Sequence, residues 1–206
     1  MLDGASMIRE RSVIRLARAF FMGACLLALG GCLGGSPDDT FSLTAVRGVE
    51  GPKLTQRQIL IPEPTAVKAL DSEQVVIRVS QAEIQYLAKS RWSDRLPRLV
   101  QARLVQAFEN TGRLGGVGMP GQGLAIDYQV ITEIRAFEIQ AYGGSRAQVE
   151  MSAKLLNDRN GEVRASRVFT ASAPVSGSGN DAFITALDAA FGKVTTDLVG
   201  WTLKAM

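Results

Sequence analysis

Residues 124–155 read LAIDYQVITEIRAFEIQAYGGSRAQVEMSAKL, and their period of two decides the fold. Leu124, Ile126, Tyr128, Val130 and Ile134 fall on one face of an extended chain, while Asp127, Gln129, Glu133 and Arg135 mostly populate the other. Successive strand side chains point to opposite faces, so this alternation describes a strand with one buried and one wet side. The phase then slips to Phe137 and Ile139, a slip that a β-bulge near Ala136 would produce. A second alternation follows in Ala147, Val149, Met151, Ala153 and Leu155. The turn-forming run Asn157-Asp158-Arg159-Asn160-Gly161 then leads into a third strand from Val163 to Val175. Together these predict an antiparallel meander with one solvated face.

Two helices flank it. Ser93 is the expected N-cap of the first, with Asp94 in the first turn and Pro97 where backbone donors still lack helical partners. Leu96, Leu99, Val100, Leu104, Ala107 and Phe108 line one face at helical spacing, and Asn110 and Gly112 stop the run. The second helix opens at Asn180 or Asp181 and repeats Phe183, Leu187, Phe191, Val194, Leu198 and Trp201 along its apolar stripe. Upstream, Phe41 to Thr44, Ile59-Leu60-Ile61, Val75 to Val79 and Ile84 to Leu87 read as short strands, and Gly112 to Gly123 as a glycine-rich loop. The order of elements predicts an α+β fold: an antiparallel sheet with two helices packed on one face, in a single domain.

The first residues carry a different signal. Arg9, Arg11, Arg15 and Arg18 precede the uncharged run AFFMGACLLAL from Ala19 to Leu29, the order of a signal peptide's basic and apolar regions. About 11 apolar residues rise only about 17 Å as a helix, whereas spanning a bilayer core takes roughly 20 residues, so a permanent membrane span is not expected. Leu29-Gly30-Gly31-Cys32 has the form of a lipobox, with small residues before a cysteine whose thiol would carry the lipid. Met22-Gly23-Ala24-Cys25 is a poorer match, since cleavage there would leave Leu26 to Leu29 exposed; an ordinary signal in which Cys32 is incidental is the other alternative, and Met7 is a second candidate start. The expected organisation is a lipoprotein signal over 1–31, a lipidated tether over 32–40 reaching about 28 Å at most, and a folded domain over 41–206. Leu33, rather than an aspartate, follows Cys32, which favours the outer membrane, facing the periplasm, over the inner membrane.

Composition narrows the chemistry. Removing residues 1–31 takes away four arginines and two acids, so the net charge falls from +3 to +1 and no basic surplus is left to favour nucleic acid. The chain has no histidine, and a lipidated Cys32 leaves no mature thiol, which excludes histidine-dependent triads, thiol catalysis and Cys or His metal sites. Gly116-Val117-Gly118-Met119-Pro120-Gly121 matches GxGxxG in the wrong context, after a helix and before a strand, and no phosphate-binding GxxxxGK[ST] is present. Asp127, Glu133, Glu138 and Glu150 alternate with apolar neighbours as a solvated sheet face does. Neither catalysis nor a cofactor is expected. Trp201 in the last helix is read as core or as a subunit boundary, and Ser176 to Gly179 as a flexible loop.

The run Ala82 to Glu109, AEIQYLAKSRWSDRLPRLVQARLVQAFE, resembles the ABC-type transport auxiliary lipoproteins, at Tyr86, Arg91, Trp92 and Pro97 in particular. The likeness in element order covers nearly the whole mature chain, with the Gly112 to Gly123 loop a departure. It implies a lipid-anchored adaptor of envelope lipid transport, whose partners would be an ABC permease, its ATPase and a mammalian-cell-entry-domain protein; a structural or assembly lipoprotein is the alternative, and homo-oligomerisation stays open. Tyr86, Arg91 and Trp92 are the candidate partner-binding residues. Trp92 has two readings, as a residue closing the helix–sheet core with Arg91 on the surface, or as an exposed anchor beside Arg91 of the kind found at interface hot spots.

Overall fold

The structure, a computed structural model, describes residues 38–206. In chain order these form β1 (Asp39–Phe41), β2 (Leu54–Leu60), β3 (Thr65–Ala66), β4 (Gln74–Arg78), β5 (Ile84–Trp92), α1 (Leu96–Glu109), β6 (Leu114–Gly118), β7 (Tyr128–Gln140), β8 (Arg146–Asn157), β9 (Val163–Pro174) and α2 (Asn180–Ala205). Cys32 and the whole signal-like segment lie outside the described residues.

The meander is the backbone of the sheet. β7 pairs antiparallel with β8 from Tyr128↔Asn157 to Gln140↔Arg146, with the register slipping between Ile134 and Ala136 where the hydrophobic phase predicts a bulge. β8 continues antiparallel into β9. Val130, Ile134, Phe137 and Ile139 of β7 and Val149, Met151 and Leu155 of β8 are almost wholly removed from solvent on the inner face.

The other edge of β7 is built differently. β2, β3 and β4 succeed one another along it, each parallel to β7, at Tyr128 and Gln129, at Glu133 and Ile134, and from Glu138 to Gln140. Pro62 and Pro64 break this run between β2 and β3, since proline withdraws a donor from the ladder. β4 turns back antiparallel into β5, and β1 lies parallel beyond it. The chain then crosses over the sheet as α1 and returns as β6, parallel to β2; such a pairing needs a crossover connection. The sheet is thus antiparallel along its long ladders and parallel along this second edge.

Both helices cover one face. Leu187, Phe191, Val194 and Leu198 of α2 are almost wholly buried over the meander, and Leu96, Val100, Leu104 and Phe108 do the same for α1. Trp92, Phe137 and Phe191 form an aromatic chain through β5, β7 and α2, with ring centroids 5.7 and 5.8 Å apart. The segment after β1 is tied to α2 by Thr44, whose amide and hydroxyl donate to Asp188 at 2.8 and 2.6 Å.

Four local expectations change, the first being that the opening strand is Asp39–Phe41 rather than Phe41 to Thr44. α1 begins at Leu96 with Arg95, not Ser93, as N-cap, and no side chain caps it. The Leu96 amide donates instead to Ser72 O, and the Ser93 amide is held by Phe41 O, so Ser93 belongs to the strand end. Within Gly112 to Gly123, Leu114–Gly118 is an edge strand rather than loop. A Cβ on Gly115 would collide with the Thr55 carbonyl, so the glycine there permits β6 to approach β2. β7 starts only at Tyr128, leaving Leu124 and Ile126 outside the strand and Leu124 exposed.

Candidate partner-binding site

Strand β5 holds all three residues singled out in the sequence, and a bulge sorts them. Gln74 of β4 pairs with Arg91 but Val76 pairs with Tyr86, so β5 accommodates three extra residues between these positions. Lys89 takes up the excess at φ 55°, the one left-handed non-glycine residue among those described, a conformation a side chain tolerates only under outside constraint. The constraint comes from α2: Asn180 Nδ2 donates to Ala88 O at 3.0 Å and to Ser90 Oγ at 2.6 Å. The first residue of the terminal helix thus fixes the shape of β5.

The bulge separates Trp92 from Tyr86. Trp92 is 1% exposed and packs edge-on against Phe137, so it belongs to the core and is not a surface anchor. Its placement as a partner-binding residue is corrected on this ground: an indole buried in the core against Phe137 of β7 has no face left for a partner. Tyr86 is 42% exposed, and Arg91 is exposed beside it. The Arg91 guanidinium lies 3.6 Å from Glu73 and donates through Nε to Thr40 Oγ1 at 3.3 Å. Asp38, Glu73, Tyr86, Lys89 and Arg91 surround a concavity of about 430 Å³ at the sheet edge. Ion pairs this exposed are weak and free to exchange partners. Lys89, Glu73 and Asp38 were not singled out from the sequence, because only the β5 bulge and the pairing of β5 with β1 and β4 bring them to Tyr86 and Arg91.

The meander carboxylates do not form the uniformly solvated row the alternation suggested. Asp127, 8% exposed, accepts from the Gln58 amide at 3.1 Å, Arg57 at 3.2 Å and Arg159 at 2.8 Å. The Gln58 hydrogen bond first, then the two guanidiniums, hold its carboxyl below the usual aspartate range against the opposing effect of burial. Glu138, 4% exposed, accepts from Arg78 Nε at 2.5 Å, and this bond raises the arginine further. Glu133 accepts from Arg135 and Ser152, which lower it. Asp127 and Glu138 are thus buried and committed to structural partners, while Glu133 stays at the surface, an arrangement unlike the paired groups of opposed pKa that acid–base catalysis uses. Among the described residues no group of three or more His, Cys, Asp or Glu is placed to hold a metal. The GxGxxG match is no phosphate cradle either: Gly116 and Gly118 lie on edge strand β6, where a Cβ would press on Gln58 and Leu124 respectively.

Among the described residues no helix is long and apolar enough to cross a membrane. An uncharacterized protein of Bradyrhizobium diazoefficiens is 33% identical over 177 residues; the match covers 84% of this chain and 47% of that protein, so the chain spans about half the length of this curated relative. A crystal structure of a protein from Xanthomonas campestris superposes with a TM-score of 0.74 at 29% identity, covering 81% of this chain and 96% of that one. A second crystal structure, of an uncharacterized protein, shares the fold with a TM-score of 0.61 at 16% identity, over 80% of this chain and 97% of the other. The model of the ABC-type transport auxiliary lipoprotein component family matches residues 41–199, from the end of β1 through most of α2. The chain therefore belongs to the ABC-type transport auxiliary lipoprotein component family.

Proposed function

We propose that this protein is a lipid-anchored periplasmic adaptor of an ABC-type envelope lipid transport system, working by binding rather than catalysis. The observation that carries the reading is the family match over residues 41–199, because it joins an ABC-transport role to a lipoprotein. The sequence motif at Cys32 supplies the anchor in this reading, and Leu33 after it favours the outer membrane. The commitment of the buried carboxylates Asp127 and Glu138 to ion pairs supports a non-enzymatic role. The permease and ATPase do the energy-consuming work, and a mammalian-cell-entry-domain protein carries lipid between the membranes. A tether of about 28 Å cannot cross the periplasm, so that carrier must extend toward the anchored domain. Tyr86 and Arg91 are of the residue types that dominate interface energetics, and their concavity opens to solvent at the β1–β5 edge, where the tether enters the fold.

Affinity purification of the tagged protein from crosslinked native envelopes tests this. Recovery of permease, ATPase and mammalian-cell-entry-domain protein is expected, and a combined Tyr86→Ala, Arg91→Ala change should weaken recovery by roughly 2 kcal/mol or more. Recovery of none of these components contradicts the adaptor role.

A further inference from the structure

A regular strand would not place Tyr86 and Arg91 together. Successive strand side chains alternate between faces, so residues five apart point to opposite sides of a sheet, whereas residues six apart, such as Tyr86 and Trp92, point to the same side. In β5 the relation is inverted. The β4 partners of Tyr86 and Arg91 are Val76 and Gln74, two residues apart and therefore on one face, and residues directly opposite in a ladder share a face. Tyr86 and Arg91 accordingly both line the concavity, while Trp92 is enclosed in the core. The extra residues of β5 between these pairs make the difference, and the chain turns over at Lys89, φ 55°.

Glycine takes this left-handed conformation freely, and lysine does so only when something holds it. Asn180 holds it. Its Nδ2 donates to Ala88 O at 3.0 Å and to Ser90 Oγ at 2.6 Å, one partner on either side of Lys89. Asparagine is favoured at helix starts because its side-chain oxygen can accept from the helix's own amides. No side chain caps α2, whose N-cap is Gly179, and the Asn180 amide is turned to β5 instead.

We propose that Asn180 is a positioning residue for partner capture: by holding the left-handed turn at Lys89, it keeps Tyr86 and Arg91 on one face of the sheet as a single surface. This rests on the reading above in which Tyr86 and Arg91 meet a component of the transport machinery. Asn180 acts through the bulge and not by touching the partner. Without the clamp the stretch from Leu87 to Ser90 is free to leave a conformation whose cost corresponds to a factor of about five or more in population. Tyr86 and Arg91 then no longer present themselves together.

The test measures recovery of transporter components by tagged full-length protein from crosslinked native envelopes, in a double-mutant cycle of Asn180→Asp and Lys89→Gly. Aspartate has nearly the shape of asparagine and its charge suits a helix N-terminus, but it is an acceptor only and cannot donate to Ala88 O. Glycine at the turn needs no clamp. In the wild-type background Asn180→Asp should lower recovery about fivefold or more. In the Lys89→Gly background the same change should alter recovery by less than about twofold, whatever Lys89→Gly does alone. A residue that merely stabilised the start of α2 would lose equally in both backgrounds. Asn180→Ala carries the same comparison if the aspartate variant does not fold. Undiminished recovery by the folded Asn180 variant, or equal losses in the two backgrounds, overturns the proposal while leaving the adaptor role and the Tyr86 and Arg91 surface intact. If the wild type recovers components and the combined Tyr86→Ala, Arg91→Ala protein recovers them equally, that surface falls and the positioning role with it. If the wild type recovers none, the adaptor role itself falls.

Discussion

Replacing Trp92 by alanine separates the core placement of this residue from a docking role. The indole is buried in the core, with its ring 5.7 Å from Phe137 of β7 at 88°. An aromatic of this class buries roughly 150–250 Å², which at about 25 cal/mol per Å² amounts to about 4–6 kcal/mol of transfer free energy. Partial collapse of the cavity reduces this and loss of the edge-to-face contact adds about 1 kcal/mol. We expect Trp92→Ala to cost about 4 kcal/mol, which for a domain of this size lowers the melting temperature by about 8–16 °C. Trp92→Phe, which keeps a ring against Phe137, should lose less than half as much. Urea titration of the purified proteins gives the free energies directly, with the slope unchanged if only stability has moved. Wild-type stability combined with loss of partner capture would refute the reasoning, because it would place the indole at the surface.

Asp127→Ala removes the acceptor shared by the Gln58 amide, Arg57 and Arg159, and should destabilise the domain by about 2 kcal/mol in chemical denaturation. Because the folded carboxyl titrates below its unfolded value of about 3.9, its contribution is complete above that pH and is lost as pH falls through the folded value. The difference between wild type and Asp127→Ala should therefore shrink below about pH 4, and a difference that grows on acidification would contradict this. Gly115→Ala drives a methyl toward the Thr55 carbonyl and should cost about 1–3 kcal/mol, whereas a nucleotide-binding role for this segment would show as affinity for nucleotide in calorimetry, and none is expected. Cys32→Ser should abolish the acylated, membrane-bound form seen by mass spectrometry and membrane fractionation; an intact Cys32 thiol in native protein would exclude the anchor.

The parts of the fold written in periodicity are legible in the sequence. The meander, the bulge near Ala136 and the stripe of α2 follow from which positions are apolar, because burial on one face imposes that spacing. Parallel pairing of β2, β3 and β4 along β7 leaves no such mark, since it depends on where α1 carries the chain. The helix start moved from Ser93 to Leu96 because a distant carbonyl, Ser72 O, satisfies the donor that a local cap would have served. The candidate site was half legible for the same reason. Tyr86 and Arg91 stand out by residue type, but a bulge held by Asn180, 90 residues from Ser90, sends Trp92 inward and brings Lys89 and Glu73 alongside them. Asp127 and Glu138 look like surface acids in an alternating strand; only the arrival of Arg57, Arg159 and Arg78 from other elements makes them buried structural anchors.

The most direct measurement of the transport role is delivery of labelled phospholipid in vesicles reconstituted with the permease, ATPase and mammalian-cell-entry-domain protein, with this lipoprotein present in or withheld from the acceptor membrane. An adaptor predicts that ATP hydrolysis continues without it while lipid arrival at the acceptor falls, and that the wild-type lipoprotein restores arrival. Equal lipid delivery with and without the lipoprotein would contradict the account.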